Sequence, residues 1–542
     1  MLKLSLAFLV VVAIAALAAA PAGAATVSAG PPPTVLPGDP ALKGMAAAAA
    51  QWTITAKPGR ATRRIARRYR ARSIGIPPTA IYLVRRAWAR RMVRDLRRVN
   101  AFIQAQPNTR VQPRQAVLPD PFDPFATWRT LIVDPALAPP AVSSESPLLA
   151  LIDSPLDPAH PEFAGGNTRM EGTIPARDSH GTATAAIAGA PKNDLGITGI
   201  WPGMRVLNVP SPRAALLCSD VVEQIGAAIA AGASVISLSH GSRERCFAEE
   251  VVLQLATGRG IVVVAAAGNG YAEGSPREFP AALPHVFTIG AVGPDLAPAP
   301  FTSADSTVDL SAPGVGVLTA VRPGEDGDVE RDGYALVSGT SYAAPMVAAA
   351  ATWLRAVRPG LTAGEVTQVF IQTARDVLEP GWDDRTGFGL PDLRAALAVP
   401  PREIPKDPLE PNDEIVWIDG SAFARPDPAL GQGNRDAQFD GTVAALEDPA
   451  DVYRLVLRAG ARARIRVKPH YGDVDLAVYS HETRSLSDTR ERMAESGSRG
   501  GRTERVTVRN RESRARTVYV AITHVEGSGS FNSWYTLTLD RR

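Results

Sequence analysis

Cysteine is scarce in this chain of 542 residues, which contains only Cys218 and Cys246. Two cysteines permit a single disulfide if the protein is exported. Long apolar segments are also rare, because after the first twenty residues no stretch approaches the roughly 20 apolar residues that span a bilayer. We therefore expect no transmembrane segment in the mature protein.

The first 25 residues have the pattern of a secretory signal. Lys3 supplies a positive charge, Leu4–Ala20 is apolar and uncharged, and Pro21–Ala25 offers small residues for cleavage. The apolar run is short for a membrane anchor. We predict a signal peptide over residues 1–25 and a bacterial protein that is secreted, either periplasmic or extracellular, and monomeric.

Negative charge is missing from one part of the chain. The formal net charge of +3 is nearly balanced and excludes little, but Arg60–Arg114 contains Asp95 as its single carboxylate. Arginine is preferred over lysine throughout, which we attribute to genomic composition. A basic segment of this kind is compatible with a surface that meets acidic polymers.

The segment Gly339–Val347, followed by a run of alanines, has the pattern of a hydroxyl group at the start of a buried helix. We predict that the helix continues to about Arg355, with Ser341 near its N-terminus and Pro345 within its first turn. The first N–H groups of a helix lack internal partners and carry partial positive charge. Taken alone, Ser341 would more often be a helix cap than a nucleophile.

Three further segments accompany Ser341, and together the four resemble the motifs of the subtilisin-like serine peptidases in that family's order. They are Leu149–Phe163 with Asp153, Ser179–Gly189 with His180, and Ala265–Asn269 with Asn269. The resemblance implies an active peptidase, although a degenerate relative without activity is the alternative.

The resemblance assigns a role to each of these residues. Ser341 would attack the peptide carbonyl, His180 would take its proton, and Asp153 would orient the imidazole. Asn269 and the N–H of Ser341 would hold the oxyanion, and an acyl-enzyme would form. No cofactor is required for this chemistry. His160 and His285 lack a surrounding motif and are expected to be structural.

The sequence departs from the family pattern in two places. Ser154-Pro155 stands after the aspartate, where the family usually has Ser or Thr and then Gly. Thr184-Ala185-Ala186 stands where Val-Ala-Gly is common. Neither change removes a reacting group, but both affect the expected geometry, because proline fixes φ and removes an N–H.

Residues 147–398 alternate strand and helix patterns, which predicts a parallel sheet with helices on both faces, as in the subtilisin-like fold. Functional residues gather at the carboxyl ends of such strands, where Asp153 and Asn269 lie. Five strands are predicted: Leu148–Ile152, Arg205–Val209, Ser234–Leu238, Ile261–Ala267 and Val286–Ala291. Two helices are predicted between them, Asp220–Ala231 and Glu249–Thr257.

Residues 26–146 form a basic N-terminal region with Pro-rich linkers at 26–50 and 119–146. A strand at Trp52–Thr55 and helices at Ala61–Tyr69 and Ala87–Phe102 are predicted. Residues 52–119 faintly resemble a LysM cell-wall-binding module, which would make a cell-wall polymer a partner. The subtilisin resemblance instead implies an inhibitory propeptide, which we favour slightly, and the two roles can coexist.

After a linker at 399–411, residues 412–542 show alternating strand patterns that predict an all-β sandwich. With Glu410–Asp413 in front, this region resembles the bacterial pre-peptidase C-terminal domain. Glu410, Asp413 and Asp451 could hold calcium as a structural ion. We expect these three to be solvated surface carboxylates and assign no metal ligand.

The resemblance also implies a substrate cleft for proteins or peptides, with no role for nucleic acid. Substrate backbone would pair with Ser239, His240 and Gly241, and the side chain before the scissile bond, at P1, would enter a pocket beside Gly268 and Asn269. Glu278 aligns with the floor of that pocket and would favour Arg or Lys there, because an unpaired buried carboxylate is costly.

The resemblance places both cysteines at the rim of the cleft, so we expect a Cys218–Cys246 disulfide there. The competing function is a cell-envelope binding protein whose peptidase domain only processes itself. Turnover of an added protein substrate distinguishes the two.

Overall fold

The computed structural model describes residues 51–541, except 109, 114–125, 194, 214–215, 306, 327–331, 379, 401–403, 405–406, 408, 424–425, 432–434, 446–447 and 526–531. The predicted signal peptide, the first linker and residues 119–125 of the second lie outside the described residues.

The N-terminal part is a four-stranded antiparallel sheet in the order β2-β3-β1-β4, and two helices connect its strands in a β-α-β-β-α-β sequence. The first helix matches the predicted Ala61–Tyr69 within one residue at each end, whereas the second ends four residues before the predicted Phe102, which begins β4. Strands β2 to β4 were not predicted. The elements are β1 (Gln51–Ala56), α1 (Arg60–Arg68), β2 (Arg72–Ser73), β3 (Ile81–Arg85), α2 (Arg86–Arg98) and β4 (Phe102–Pro107).

The two faces of this sheet pack against different partners. On β3, Tyr82 and Val84 join the core formed with α1 and α2, which includes Met92. Ile81 and Leu83 point to the opposite face and join the core of the following domain. Successive strand residues point to opposite faces, so one sheet separates the basic helices from the rest of the protein.

The central part contains a seven-stranded parallel sheet, which confirms the predicted fold class. Its strands lie in the order β14-β13-β12-β10-β6-β8-β7. All five predicted strands belong to it. Its elements, with the short strand β5 before them, are β5 (Arg110–Pro113), β6 (Leu148–Asp153), β7 (Asn167–Met170), α3 (His180–Gly189), β8 (Arg205–Pro210), β9 (Leu216–Leu217), α4 (Cys218–Ala230), β10 (Val235–Leu238), β11 (His240–Gly241), α5 (Phe247–Thr257), β12 (Val262–Ala266), β13 (Val286–Val292), β14 (Leu310–Pro313), β15 (Val317–Ala320), β16 (Tyr334–Val337), α6 (Thr340–Val357), α7 (Ala363–Thr373) and α8 (Leu393–Ala398).

Helices cover both faces of the sheet. Leu149 and Leu151 of β6 share a core with α3 and α6, while Ala150 and Ile152 share a core with α4 and α5. Every residue of β6 is buried, which explains why its sequence is a continuous apolar run rather than an alternating one. Strand β7 (Asn167–Met170) escaped prediction because its residues are polar and half exposed.

The two cysteines form the expected disulfide. Cys218 is the first residue of α4, Cys246 immediately precedes α5, and their Cα atoms are 6.1 Å apart. The bond therefore joins the N-termini of two neighbouring helices on one face of the sheet.

The C-terminal part contains two four-stranded antiparallel sheets, β17-β24-β19-β22 and β18-β23-β20-β21. Side chains from both sheets share one apolar core, for example Leu455, Ile465, Val520 and Leu537, so this part is a β-sandwich. Its elements are α9 (Ile415–Ile418), β17 (Ala437–Ala444), β18 (Ala450–Leu457), β19 (Arg462–Tyr471), β20 (Val474–Ser480), β21 (Arg492–Ser496), β22 (Glu504–Arg509), β23 (Arg516–His524) and β24 (Asn532–Arg541).

The sandwich packs on the face of the central domain that α4 and α5 cover. Trp417 of α9 stacks between Phe247 of α5 and Phe423, with ring centroids 5.9 and 6.0 Å away. Buried aromatic contacts of this kind favour a fixed arrangement. Within the described part of the chain, no helix combines the length and apolar character that crossing a membrane requires.

Candidate active site

Asp153 and His180 form a buried pair at the carboxyl edge of the central sheet. Asp153 is the last residue of β6, and His180 is the first residue of α3. The imidazole donates from Nδ1 to Asp153 Oδ1 over 2.5 Å, and each residue is 4% exposed. A carboxylate in this position fixes the orientation and tautomer of the ring.

Ser154 and Thr184 help to hold Asp153. The N–H of Ser154 donates to Asp153 Oδ1 over 2.7 Å, and the Thr184 hydroxyl donates to Asp153 Oδ2 over 2.9 Å. The Ser154 hydroxyl also accepts from the N–H of Gly181, beside His180, over 2.9 Å. Thr184, which stands where the family commonly has Val, therefore adds a hydrogen bond to Asp153, while Ser154 agrees with the family pattern.

Ser341 is the second residue of α6 and is fully buried. Its hydroxyl donates to the Ser239 carbonyl over 3.3 Å, and its carbonyl accepts from the Ser239 hydroxyl over the same distance. Pro345 is the sixth residue of α6, so the prediction that it lies in the first turn was wrong. Because Pro345 lacks an N–H, the Ser341 carbonyl has no helical donor, and Ser239 supplies one instead.

Thr340 connects the start of α6 to Asn269. Its N–H and its hydroxyl both donate to Asn269 Oδ1, over 3.0 and 3.1 Å, and its hydroxyl accepts from the N–H of Gly268 over 3.2 Å. These bonds direct the carbonyl side of the Asn269 amide towards Thr340. The amide nitrogen is buried and has no hydrogen-bond partner among the described residues.

Sequence reasoning did not single out Thr340. The only available signal was a hydroxyl residue directly before Ser341. Its partner Asn269 is 71 positions away, so the contact depends on the fold.

The predicted substrate edge pairs with another segment of this same chain. Strand β5 lies between β9 and β11 and is antiparallel to both, with Arg110 and Val111 opposite Leu217 and Leu216. Gln112 and Pro113 lie opposite Gly241 and His240. Backbone of the N-terminal region thus runs as an extended strand along the cleft.

The remaining predicted substrate residues lie around this strand. His240 is buried, and its Nε2 contacts Glu249 Oε1 over 3.3 Å. Phe279 exchanges backbone hydrogen bonds with Ser242, which brings the neighbouring Glu278 beside the cleft. Glu278 is half-buried, and a methyl group added at Gly270 would lie 3.6 Å from its Oε1.

The two histidines that were predicted to be structural, His160 and His285, both contact other groups of the protein. His160 is buried, accepts from the N–H of Glu162 over 3.1 Å and contacts the Gly333 carbonyl over 3.0 Å. His285 contacts Asp413 and Glu410 over 2.8 and 3.0 Å. Burial alone would lower the pKa of His285, but these two carboxylates raise it well above its usual value.

A second polar cluster lies where the β-sandwich meets the central domain. Asp407, Glu410, Asp448 and Asp451 place carboxylate oxygens within 4.8 Å of one another. The expectation that Glu410, Asp413 and Asp451 are solvated was wrong, because Asp451 is fully buried and Asp413 is 7% exposed. Asp407 and Asp448 were not singled out from the sequence.

This acidic cluster is electrostatically unfavourable as it stands. Burial, together with repulsion among the carboxylates, raises the pKa values of Asp407, Glu410 and Asp448 well above their usual range. Burial raises the pKa of Asp451 to about 6. A cavity of about 210 Å³ adjoins the cluster and is lined in part by Glu410, Asp448 and His285.

Comparison with known proteins places the central domain in a described family. Residues 144–389 match the model of the family described as "Subtilase family". Subtilisin from Bacillus pumilus is 32% identical over 271 residues, which are 48% of this chain and 94% of that protein. Subtilisin amylosacchariticus from Bacillus subtilis subsp. amylosacchariticus is 32% identical over 249 residues, which are 44% of this chain and 63% of that protein.

A solved structure has a similar fold over a longer part of the chain. Fervidolysin from Fervidobacterium pennivorans, described as a keratinolytic enzyme related to subtilisin, covers 84% of this chain with a TM-score of 0.55 and 17% identity. At that identity the likeness shows the fold alone. The sequence match to 94% of the Bacillus pumilus relative, over the domain that holds Asp153, His180 and Ser341, establishes that this chain belongs to the subtilase family.

Proposed function

We propose that this protein is a serine endopeptidase that acts through Asp153, His180 and Ser341. The observation that carries the proposal is the buried Asp153–His180 hydrogen bond at the sheet edge, with Ser341 at the N-terminus of the adjoining helix α6. Such a helix end offers a free N–H and partial positive charge to a developing oxyanion.

Each residue has a defined task in the proposed reaction. His180 takes the hydroxyl proton of Ser341 as the oxygen attacks the peptide carbonyl, and Asp153 stabilises the resulting imidazolium. Asn269 donates from its amide nitrogen to the oxyanion, because Thr340 occupies its carbonyl oxygen. His180 then protonates the leaving amine, and water hydrolyses the acyl-enzyme. Loss of one such donor costs roughly 10²–10³ in kcat, a magnitude that comes from subtilisin itself.

We also propose that residues 26–146 form an inhibitory pro-region. The antiparallel strand β5 occupies the positions at which substrate backbone would pair. Gln106 accepts from the N–H of Phe247 over 2.6 Å, and Asn108 accepts from the N–H of Ser219 over 2.7 Å. These two side chains cap the first turns of α5 and α4, which the disulfide joins. The LysM interpretation is weaker, because the stretch between the helices forms strands β2 and β3.

The first prediction concerns Ser341→Ala. This variant should not cleave casein at a detectable rate, because kcat should fall by roughly 10⁶ if this enzyme behaves as subtilisin does. It should also leave the precursor unprocessed. Ser338→Ala alters a hydroxyl in the preceding turn that contacts the N–H of Gly316, and it should retain most activity. Casein cleavage by Ser341→Ala at the wild-type rate would exclude the assignment. Self-processing without casein cleavage in the wild type would favour an envelope-binding protein that only processes itself.

The second prediction concerns specificity. Glu278 is proposed to favour Arg or Lys at P1, because its carboxylate is half-buried and lies close to Gly270, next to Asn269 in the chain. Glu278→Gln should lower the Arg-to-Leu ratio of kcat/KM by roughly 10- to 100-fold, because an interaction with charge would be lost. Peptides that differ only at P1 provide the measurement.

A matched control for this test is Glu273→Gln, which removes a charge from the same loop at an exposed ion pair with Arg243. It should leave the ratio unchanged. A wild-type preference for Phe or Leu over Arg, or an unchanged ratio in Glu278→Gln, would remove Glu278 from the specificity pocket.

We propose that the β-sandwich is a pre-peptidase C-terminal-like domain and that its acidic cluster holds a calcium ion. Calcium binds six to eight oxygen atoms, and the four carboxylates offer several of these. Asn412, which is 1% exposed, has an amide oxygen without a hydrogen-bond partner among the described residues. A cation would offset the repulsion among the carboxylates.

The third prediction tests this site by thermal unfolding. Calcium at a hundredfold excess over its Kd should stabilise the protein by about 2.7 kcal/mol, seen as a rise in Tm of several degrees relative to EGTA. Asp448→Asn with Asp451→Asn should abolish the calcium-dependent part of Tm. The exposed Glu482→Gln should keep it. An equal calcium response in all three proteins would place any bound ion elsewhere.

Export is the remaining part of the proposed function. The predicted signal peptide over residues 1–25 supports secretion of the precursor, and the subtilase domain then faces protein or peptide substrates outside the cytoplasm.

A further inference from the structure

The helices of the N-terminal domain carry positive charge that peptidase chemistry does not use. Residues 51–108 contain fourteen arginines, Lys57 and a single carboxylate, Asp95, so their formal charge is +14. The whole chain has a formal charge of +3, so all other residues together carry −11. One short domain therefore accounts for the excess of positive charge.

These arginines are on the surface. All fourteen are exposed, and eleven of them lie in α1 and α2. The two helices cover one face of the sheet through Ala66, Met92 and Leu96, while the other face packs on α4 and α5. The guanidinium groups of α1 and α2 consequently lie on the side of the sheet that faces away from α4 and α5.

The domain cannot neutralise this charge itself. Arg68 and Arg98 both approach Asp95, over 3.4 and 3.5 Å, and Arg72 pairs with Glu223 of the central domain. With one carboxylate for fourteen guanidinium groups, most of the arginines repel one another. That repulsion is lowered when an anionic partner binds.

The geometry favours a linear partner that carries phosphates. Helix α2 has 13 residues and is about 20 Å long, so it can contact several successive charges. An open groove of about 580 Å³ beside it is lined by three arginines and one carboxylate over an apolar floor: Arg64, Arg68, Arg98, Asp95, Ile65 and Val99. The planar guanidinium group binds phosphate through two parallel hydrogen bonds, which an ammonium group cannot do.

A lipid bilayer fits this face less well. Among the described residues of the domain, the large apolar side chains that are more than a third exposed are Trp88 and Val99, at 40% and 45%. A helix that lies in a membrane interface needs a broad apolar face, but the apolar faces of α1 and α2 are buried against the sheet.

We propose that the outer face of α1 and α2 binds a linear phosphodiester polymer of the cell envelope, in which phosphates link polyol or sugar units. The binding keeps the precursor at the envelope until the N-terminal domain is cleaved off. Retention until cleavage rests on the proposed function and on export, whereas the binding itself needs no catalysis.

The experiment uses the full chain with Ser341→Ala, so that binding is measured without processing and does not depend on peptidase activity. Affinity for a synthetic glycerol-phosphate polymer is measured at several salt concentrations. A test variant replaces Arg63, Arg67, Arg90 and Arg94 with Gln. A matched control replaces Arg462, Arg464, Arg466 and Lys468, which are exposed on β19 of the sandwich, with Gln.

Both variants lose four positive charges, but only the first loses them from α1 and α2. We expect the helix variant to bind at least roughly tenfold more weakly and with a shallower salt dependence, and the control to bind like its parent. No binding at low salt, or an equal loss of affinity in both variants, would overturn the proposal.

Three further probes identify the partner. Duplex DNA with the same number of phosphates, vesicles rich in phosphatidylglycerol, and polyglutamate are compared with the glycerol-phosphate polymer. Preference for the polymer over all three supports the proposal. Equal or tighter binding of DNA or vesicles would assign the face to a different partner, and equal binding of polyglutamate would show that phosphate is not recognised.

Discussion

The candidate active site depends on the position of the N-terminus of α6, which hydrogen-bonds to two neighbouring loops of the sheet. Within two residues, Thr340 fixes Asn269 at the end of β12 and Ser341 exchanges hydrogen bonds with Ser239 at the end of β10. Both contacts exist because parallel strands end at one edge of the sheet and the buried helix begins there. Pro345 contributes by leaving the Ser341 carbonyl available to Ser239.

The active site around Asp153 and the acidic cluster around Asp451 differ in how their buried carboxylates are hydrogen-bonded. Around Asp153 the carboxylate accepts hydrogen bonds from His180, Ser154 and Thr184. Around Asp451 and Asp448 several carboxylate oxygens have no such donor among the described residues. Burying charge without compensation is costly, which is why we propose a cation for the second cluster.

Strand and helix patterns predicted the parallel sheet covered on both faces, and the resemblance of four motifs to the subtilisin-like peptidases singled out Asp153, His180, Asn269 and Ser341. Contacts between distant segments could not be predicted in this way. The bonds from Thr340 to Asn269 and the burial of Asp451 depend on the tertiary fold, and the pairing of β5 with β9 and β11 depends on how the N-terminal region packs on the central domain. Short polar strands such as β7 were also not predicted, because a strand shows an alternating hydrophobic pattern only when one of its faces is buried.

The central claim is that Ser341 is an activated nucleophile whose cleft the N-terminal strand occupies. A fluorophosphonate reagent tests this most directly, with the labelled residue mapped by mass spectrometry before and after the N-terminal domain is removed. We expect one label per chain, on Ser341, formed much faster in the processed protein than in the precursor. A label on another residue, or equal rates in the two forms, would contradict the claim.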